Sequence, residues 1–268
     1  MTDQPHRGYE PFELGENMDE DMGLFEAATH APRLVIEPPR VGVVLVAGGE
    51  PDSAAAETCR GLARVVGARL AGASLVETGE QTAAPLLSEI AQTGADLVVT
   101  SAEVLPEDVW ADLLATAPVP VLLSGRDRQR RRGRPAAAAS RLDTILLPLF
   151  ADTPAVRRGL AWTASLATAA GRRTDVHVIT SPAVRIAADV GGLLAAIQRE
   201  ATARGFHVET VFQSGSQLRE ILGATAALRR PPLVILPRDG GVGGAAASDM
   251  VRLAIELLRG MAGGVLVV

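Results

Sequence analysis

A run of glycines, Gly240-Gly241-Val242-Gly243-Gly244, lies between a short apolar stretch (Leu233–Leu236) and a segment of helical spacing (Asp249–Arg259). Glycine lets a chain curl back and approach a ligand closely. The amides of such a loop, where it opens into a helix, close on phosphate oxygens. The helix dipole adds a modest attraction for an anion. Ser248 stands where it caps that helix or offers a hydroxyl, whereas Asp239 and Asp249 would repel a phosphate. A plain glycine turn is built from the same residues, so the loop carries two readings.

Other chemistry is sparse. All 26 basic residues are arginine and no lysine occurs, which removes Schiff-base, pyridoxal-phosphate and P-loop lysine chemistry. Abundant Ala, Arg and Gly point to a GC-rich genome as the cause, so the arginines are not read as selected one by one. Cys59 lies on a helical stretch with no base beside it and reads as a small buried residue. His177 and His207 fall in two successive strand-like runs and are expected to be neighbours in a sheet, in a structural role. No metal site is expected. No Gly-x-Ser-x-Gly or HExxH motif is present.

Composition narrows the class. With 268 residues and 47% hydrophobic content, the chain has enough apolar material for one large or two small cores. A net charge of −5 argues against a dedicated nucleic-acid binder. No apolar run is long enough to span a bilayer, and the acidic stretch Met1–Glu20 does not read as a secretory signal. A single cysteine excludes a disulfide framework, and the cytoplasm is the expected compartment.

The elements that must position the glycine loop alternate strand and helix. In the first run, strands are expected at Val41–Ala47, Ala73–Val76, Ala95–Ser101 and Val119–Ser124, with helices at Asp52–Leu70, Thr82–Thr93 and Pro106–Thr116. In the second run, strands are expected at Thr144–Leu149, Asp175–Thr180, His207–Phe212, Leu233–Leu236 and Val265–Val268. Its helices are expected at Pro154–Ala170, Asp189–Arg204, Gln217–Leu228 and Asp249–Arg259. Such alternation implies right-handed crossovers and parallel, doubly wound sheets. The two runs end alike, in Val119-Pro-Val-Leu-Leu and Gly264-Val-Leu-Val-Val, and the first lacks one helix–strand unit after Val76. They form an internal repeat.

The order and spacing of Ile145-Leu-Leu-Pro-Leu-Phe-Ala-Asp152-Thr-Pro, of His207-Val-Glu-Thr-Val-Phe-Gln-Ser-Gly215, and of the stretch from Leu233 through Gly244 to the terminal strand resemble the universal stress protein family in tandem form. The resemblance covers about Arg40 to Val268 and is better in the second copy. It implies an α/β fold of two flavodoxin-like (adenine nucleotide alpha hydrolase-like) domains with parallel doubly wound sheets, arranged as a pseudo-dimer. It also implies dimerisation or domain pairing through the last strands, and ATP or another adenine nucleotide as ligand. Carried onto this sequence, the nucleotide-binding positions are Phe150, Asp152, Thr153, Gly240, Gly241, Gly243, Gly244 and Ser248. The family pattern is met in part. Gly241 and Gly244 supply its Gly-x-x-Gly, but Ala254 and Ile255 stand where nucleotide binders carry Gly-Ser or Gly-Thr, and Phe150 replaces an acid. In the first copy Ser101-Ala-Glu-Val-Leu-Pro-Glu-Asp108 has no glycine, so that copy reads as degenerate.

The chain thus divides into a disordered or docking tail (1–39), a shortened domain (40–125), an arginine-rich linker (126–141) and a full domain (142–268). The expected function is that of a non-enzymatic cytoplasmic regulator sensing an adenine nucleotide, with at most weak ATP hydrolysis. The alternative is a nucleotide-free scaffold that docks a protein through Phe12, Met18, Met22 and Phe25 of the tail. Between Glu10 and Glu26 the tail carries seven acidic and no basic residues, and the linker from Arg126 to Arg141 carries seven arginines. The two are expected to associate, and to separate as salt rises. A paramagnetic label at residue 20 should broaden resonances of residues 126–134 in low salt; unaffected resonances would refute the association.

Overall fold

A computed structural model describes residues 35–47, 68–73, 82–101, 105–124, 142–170, 174–180, 188–212, 222–223, 232–238, 247–260 and 263–268. The strands are β1 (Val43–Ala47), β2 (Arg69–Ala73), β3 (Leu97–Ser101), β4 (Val121–Ser124), β5 (Thr144–Pro148), β6 (Asp175–Thr180), β7 (His207–Phe212), β8 (Leu233–Leu236) and β9 (Gly264–Val267). The helices, numbered in chain order, are α1 (Ala84–Thr93), α2 (Glu107–Thr116), α3 (Pro154–Ala170), α4 (Ala188–Arg204) and α5 (Ala247–Gly260). Their order is that of an α/β fold.

The nine strands lie in one sheet in the order β2-β1-β3-β4-β9-β8-β5-β6-β7. Every neighbouring pair is parallel except β4 and β9, which run antiparallel with Val121 opposite Val267 and Ser124 opposite Gly264. Strands β5 to β9 are arranged third-second-first-fourth-fifth, a doubly wound order. Strands β1 to β4 are arranged second-first-third-fourth, which is what that plan leaves when its third strand is missing.

Continuous apolar runs form the central strands because both faces are covered. Residues of β3, β5 and β8 are buried at every position. On one face, Leu45, Val98, Leu123, Leu146 and Val234 pack with α1, α2 and α5 through Ile90, Leu113, Leu114, Met250 and Leu257. On the other, Val44, Leu97, Leu122, Leu147 and Ile235 pack in a cluster with Leu160, Trp162, Val190 and Ile197 of α3 and α4. Ile36 joins this second cluster, so the segment ahead of β1 is held against the sheet.

Two expectations need correction. The second strand is Arg69–Ala73, not Ala73–Val76, and the helix expected over Asp52–Leu70 cannot reach Leu70. Arg-Leu-Ala-Gly-Ala is poor strand material. Pairing with β1 from Val43↔Arg69 to Ala47↔Ala73, with the Arg69 amide donating to the Gly42 carbonyl at 2.9 Å, overrides that weak preference. The histidines are, as expected, on neighbouring strands, offset by two positions. His177 stands across from Glu209 and His207 across from Asp175. The helix expected over Gln217–Leu228 is described only at residues 222–223, which are helical, and the linker 126–141 and tail 1–34 lie outside the described residues. No described helix is long and apolar enough to cross a membrane.

Two glycines give a contrasting test of packing. A Cβ at Gly263 would collide with the Pro232 carbonyl oxygen, whereas one at Gly191 meets nothing within 4 Å. Gly263→Ala is expected to cost about 2–3 kcal/mol by forcing backbone apart. Gly191→Ala, inside α4, is expected to add about 0.5–1 kcal/mol through helix propensity. Urea unfolding midpoints read both, and a neutral Gly263→Ala would contradict the close approach of residue 263 to Pro232.

Candidate functional site

Doubly wound sheets bind ligands beyond the carboxyl ends of the strands, where the connections diverge to opposite sides. In this chain that happens between β1 and β3 and again between β5 and β8. The two places differ. Strands β1 and β3 pair at four positions, out to Ala47↔Thr100, and the buried Thr100 Oγ1 donates to the Ala47 carbonyl at 2.8 Å. That switch point is tied shut.

Strands β5 and β8 pair at only two positions, Ile145↔Leu233 and Leu146↔Val234. Beyond them each follows its outer neighbour. β5 continues along β6, with the Leu149 amide donating to the Ile179 carbonyl at 2.8 Å. β8 continues along β9, with the Val268 amide donating to Leu236 at 2.9 Å and the Arg238 amide to Val268 at 2.7 Å. The described ladder between β5 and β8 therefore stops short of their carboxyl ends, at the switch point where sheets of this kind form their crevice. Helix α3 closes the floor of the parting. A Cβ on Gly159 would lie 3.3 Å from Leu147, 3.6 Å from Ile235 and 3.8 Å from Val268, so the absence of a side chain lets the helix settle over both strands.

The residues expected at this site fall into three groups. Phe150, Asp152 and Thr153 follow β5 at the mouth of the crevice, but each is engaged by the fold. Phe150 is half-buried against the cluster under α1, α2 and α5. Thr153 caps α3, its Oγ1 accepting from the Val156 amide at 3.2 Å. Asp152 accepts two bonds from Arg157, from Nε at 2.6 Å and from Nη2 at 2.7 Å. The carboxylate hydrogen bond, and then its charge, raise the Arg157 pKa above the usual arginine value. Ser248 lies within the first turn of α5, which begins at Ala247, so it is not the residue ahead of the helix. Gly240, Gly241, Gly243 and Gly244 lie outside the described residues, as do Phe12, Met18, Met22 and Phe25.

Two arginines that sequence reasoning passed over lie near this switch point in the chain, one after β8 and one on α3. Arg238, the second residue after β8, is half-buried, and its guanidinium donates to the carbonyls of Ala117 and Val119, the latter at 2.9 Å. Burial, and then the charge of Arg158, hold its pKa below the usual arginine value. Arg158, in the first turns of α3, has no ion-pair partner among the described residues. A faint signal existed: Arg238 is a cation two residues past a fully buried strand, where a chain seldom places one without use.

The histidines sit away from the crevice. His177 Nδ1 lies 3.1 Å from Glu209 Oε2, and His207 Nδ1 lies 3.4 Å from Asp175 Oδ1. Among the described residues no three metal-ligating side chains gather in one place.

Thr153→Ala is expected to cost about 1 kcal/mol through loss of the cap, and Thr153→Asp to retain most of the stability. Equal unfolding midpoints for Thr153→Ala and the wild type would show that α3 does not depend on this cap.

No protein-family model matches the sequence, and no curated protein does. Among solved structures, a universal stress protein from Archaeoglobus fulgidus DSM 4304 is similar, with a TM-score of 0.53 and 14% identity over 84% of this chain and 95% of that one. A member of the universal stress protein family from Burkholderia pseudomallei gives 0.35 at 20% identity, over 48% of this chain and 97% of that one. A putative aspartate carbamoyltransferase from Trypanosoma cruzi gives 0.26 at 15% identity, over 88% and 89%. The last two scores are too low to bear on the fold. The first shows that the chain has a universal-stress-type α/β fold.

Proposed function

We propose that this chain is a universal-stress-type regulatory protein built from two tandem domains, 40–125 and 142–268, paired as an intramolecular pseudo-dimer. In this reading it senses an adenine nucleotide, ATP or a relative, at the β5/β8 crevice of the second domain. The observation that carries the ligand is the parting of β5 from β8 beside Arg158, a cation without a carboxylate partner among the described residues. A phosphate chain fits that charge. The glycines 240–244 follow β8 and would wrap the same phosphates with backbone amides. The tied switch point between β1 and β3 suits a first domain kept as a pairing partner.

The role proposed is binding and not turnover, with slow hydrolysis at most, since the described crevice offers no paired acid and base. Asp152, which follows β5, is already held by Arg157. Pairing of β4 with β9 supports the pseudo-dimer, because it occupies the last strand of each run within one chain.

Thermal unfolding of nucleotide-stripped protein with ATP, ADP, AMP and cyclic nucleotides tests the reading. A ligand at a hundred times its dissociation constant adds about 2.7 kcal/mol, a clear upward shift. Gly241→Val or Gly244→Val should abolish the shift. Arg158→Gln should weaken binding by roughly tenfold, the loss of one charge-assisted contact. No shift with any nucleotide, and none found by mass spectrometry in freshly purified protein, would retire the sensor. The scaffold with its docking residues Phe12, Met18, Met22 and Phe25 would then take its place.

A further inference from the structure

Among the described residues His177 is the one titratable side chain that is fully buried, set between apolar neighbours in β6. On its outer side lies β7, the last strand of the sheet, which pairs with β6 alone. Glu209 of β7 stands directly across, its Oε2 3.1 Å from His177 Nδ1, and its own side chain is half-exposed. Two residues back along the ladder the pairing recurs with the strands exchanged. There His207 of β7 and Asp175 of β6 lie 3.4 Å apart, both exposed. Strand alternation puts all four side chains on one face of the sheet. On the inner side of His177, β5 offers Leu146, which shares the apolar cluster of this face with Ile179 and Leu222. The charged groups facing His177 among the described residues are therefore Glu209 across the ladder, Asp175 along its own strand and His207 on the diagonal.

We propose that His177 and Glu209 form a proton-operated latch on the edge strand: an ion pair holds β7 to β6 while the ring is protonated, and the hold weakens when the ring is neutral. Contact with a carboxylate favours the imidazolium, and burial opposes it. The contact prevails because only one partner has left the water. Glu209 keeps half of its side chain in solvent, so the pair does not carry the double desolvation that weakens fully buried ion pairs. Asp175 adds a second carboxylate on the same face. The direction in pH follows from linkage. A histidine in an unfolded chain takes up its proton at about pH 6.5. One that gains a carboxylate on folding adds stability that is complete below that pH and is lost as pH rises through the folded chain's higher value. Loss of the proton therefore loosens the strand that covers the outer edge of β6, and a bared strand edge is a surface on which another chain can pair.

The test is local opening of β7 in the full chain. It is read as hydrogen-exchange protection at residues 208–211, corrected for the intrinsic rate at each pH, with β3 as reference. Between pH 8.5 and pH 6 the wild type should gain about tenfold in protection at β7 relative to β3, the equivalent of one unit of pKa difference. Glu209→Gln and His177→Gln should each lose that gain. His207→Gln removes only the exposed pair and should keep it. The His177 ring, followed by NMR, should take up its proton at a higher pH in the wild type than in Glu209→Gln, a readout that stands even where His177→Gln does not fold. Protection at β7 that is independent of pH, or that falls on acidification, would overturn the proposal. So would a His177 ring that titrates alike in the wild type and in Glu209→Gln. A gain kept by Glu209→Gln and lost by His207→Gln would overturn it too, since the exposed pair would then be the sensitive one.

Discussion

The antiparallel pairing of β4 with β9 places the carboxyl ends of one parallel run beside the amino ends of the other. Parallel strands alone would have put both sets of carboxyl-end loops on the same rim of the sheet. With the seam antiparallel, the rim that carries the β5/β8 crevice also carries the turn that feeds β4. From that follow the reach of Arg238 to Ala117 and Val119, and the packing of α2 beside α5 on one face. The ion pair between Arg259 of α5 and Glu107 of α2, with Nε 3.0 Å from Oε2, closes the outer side of the same junction. The pairing also removes one exposed edge from each run, the part of a sheet most open to unwanted association.

Why one switch point is tied and the other parted is a matter of single side chains. At the first, Thr100 of β3 supplies a hydroxyl that donates to the Ala47 carbonyl at the end of β1. At the second, β8 is Leu-Val-Ile-Leu and has no polar side chain with which to hold β5. The helix over that place then sets how far the strands part. Gly159 lets α3 sit against Leu147 and Ile235, so the apolar space over the two strands is filled.

Much of this fold was legible in the sequence because fully covered strands leave a simple trace. Val-Val-Leu-Val, Leu-Val-Val, Ile-Leu-Leu and Leu-Val-Ile-Leu each appear as unbroken apolar runs, and most strand and helix boundaries fall within two residues of those expected. β2 was not legible. Arg-Leu-Ala-Gly-Ala continues an alanine-rich stretch and is made a strand only by its partner β1. The antiparallel seam had only the similar endings of the two runs to announce it. At the site, the place of Phe150–Thr153 after β5 was readable from the strand pattern. Their engagement was not, because Asp152 meets Arg157 only once α3 has turned the chain, and Arg238 finds its acceptors 119 and 121 positions away.

The absence of lysine takes on a different meaning in the folded chain. Composition explains why the basic residues are arginines, but not where they are used. Arg157 on Asp152 and Arg259 on Glu107 each present two nitrogens to two carboxylate oxygens, and Arg238 presents two nitrogens to two backbone carbonyls. A planar fork makes such contacts with fixed spacing, and an ammonium group does not. The first two are exposed and add little to stability, since water screens them. Their effect is orientation: one holds the loop after β5 against α3, the other holds α5 against α2. Arg238 is different in kind, because it has given up much of its hydration to reach the opposite run. That cost is met where two carbonyls of the turn before β4 converge, so the fork joins the end of β8 to the opposite run across β9.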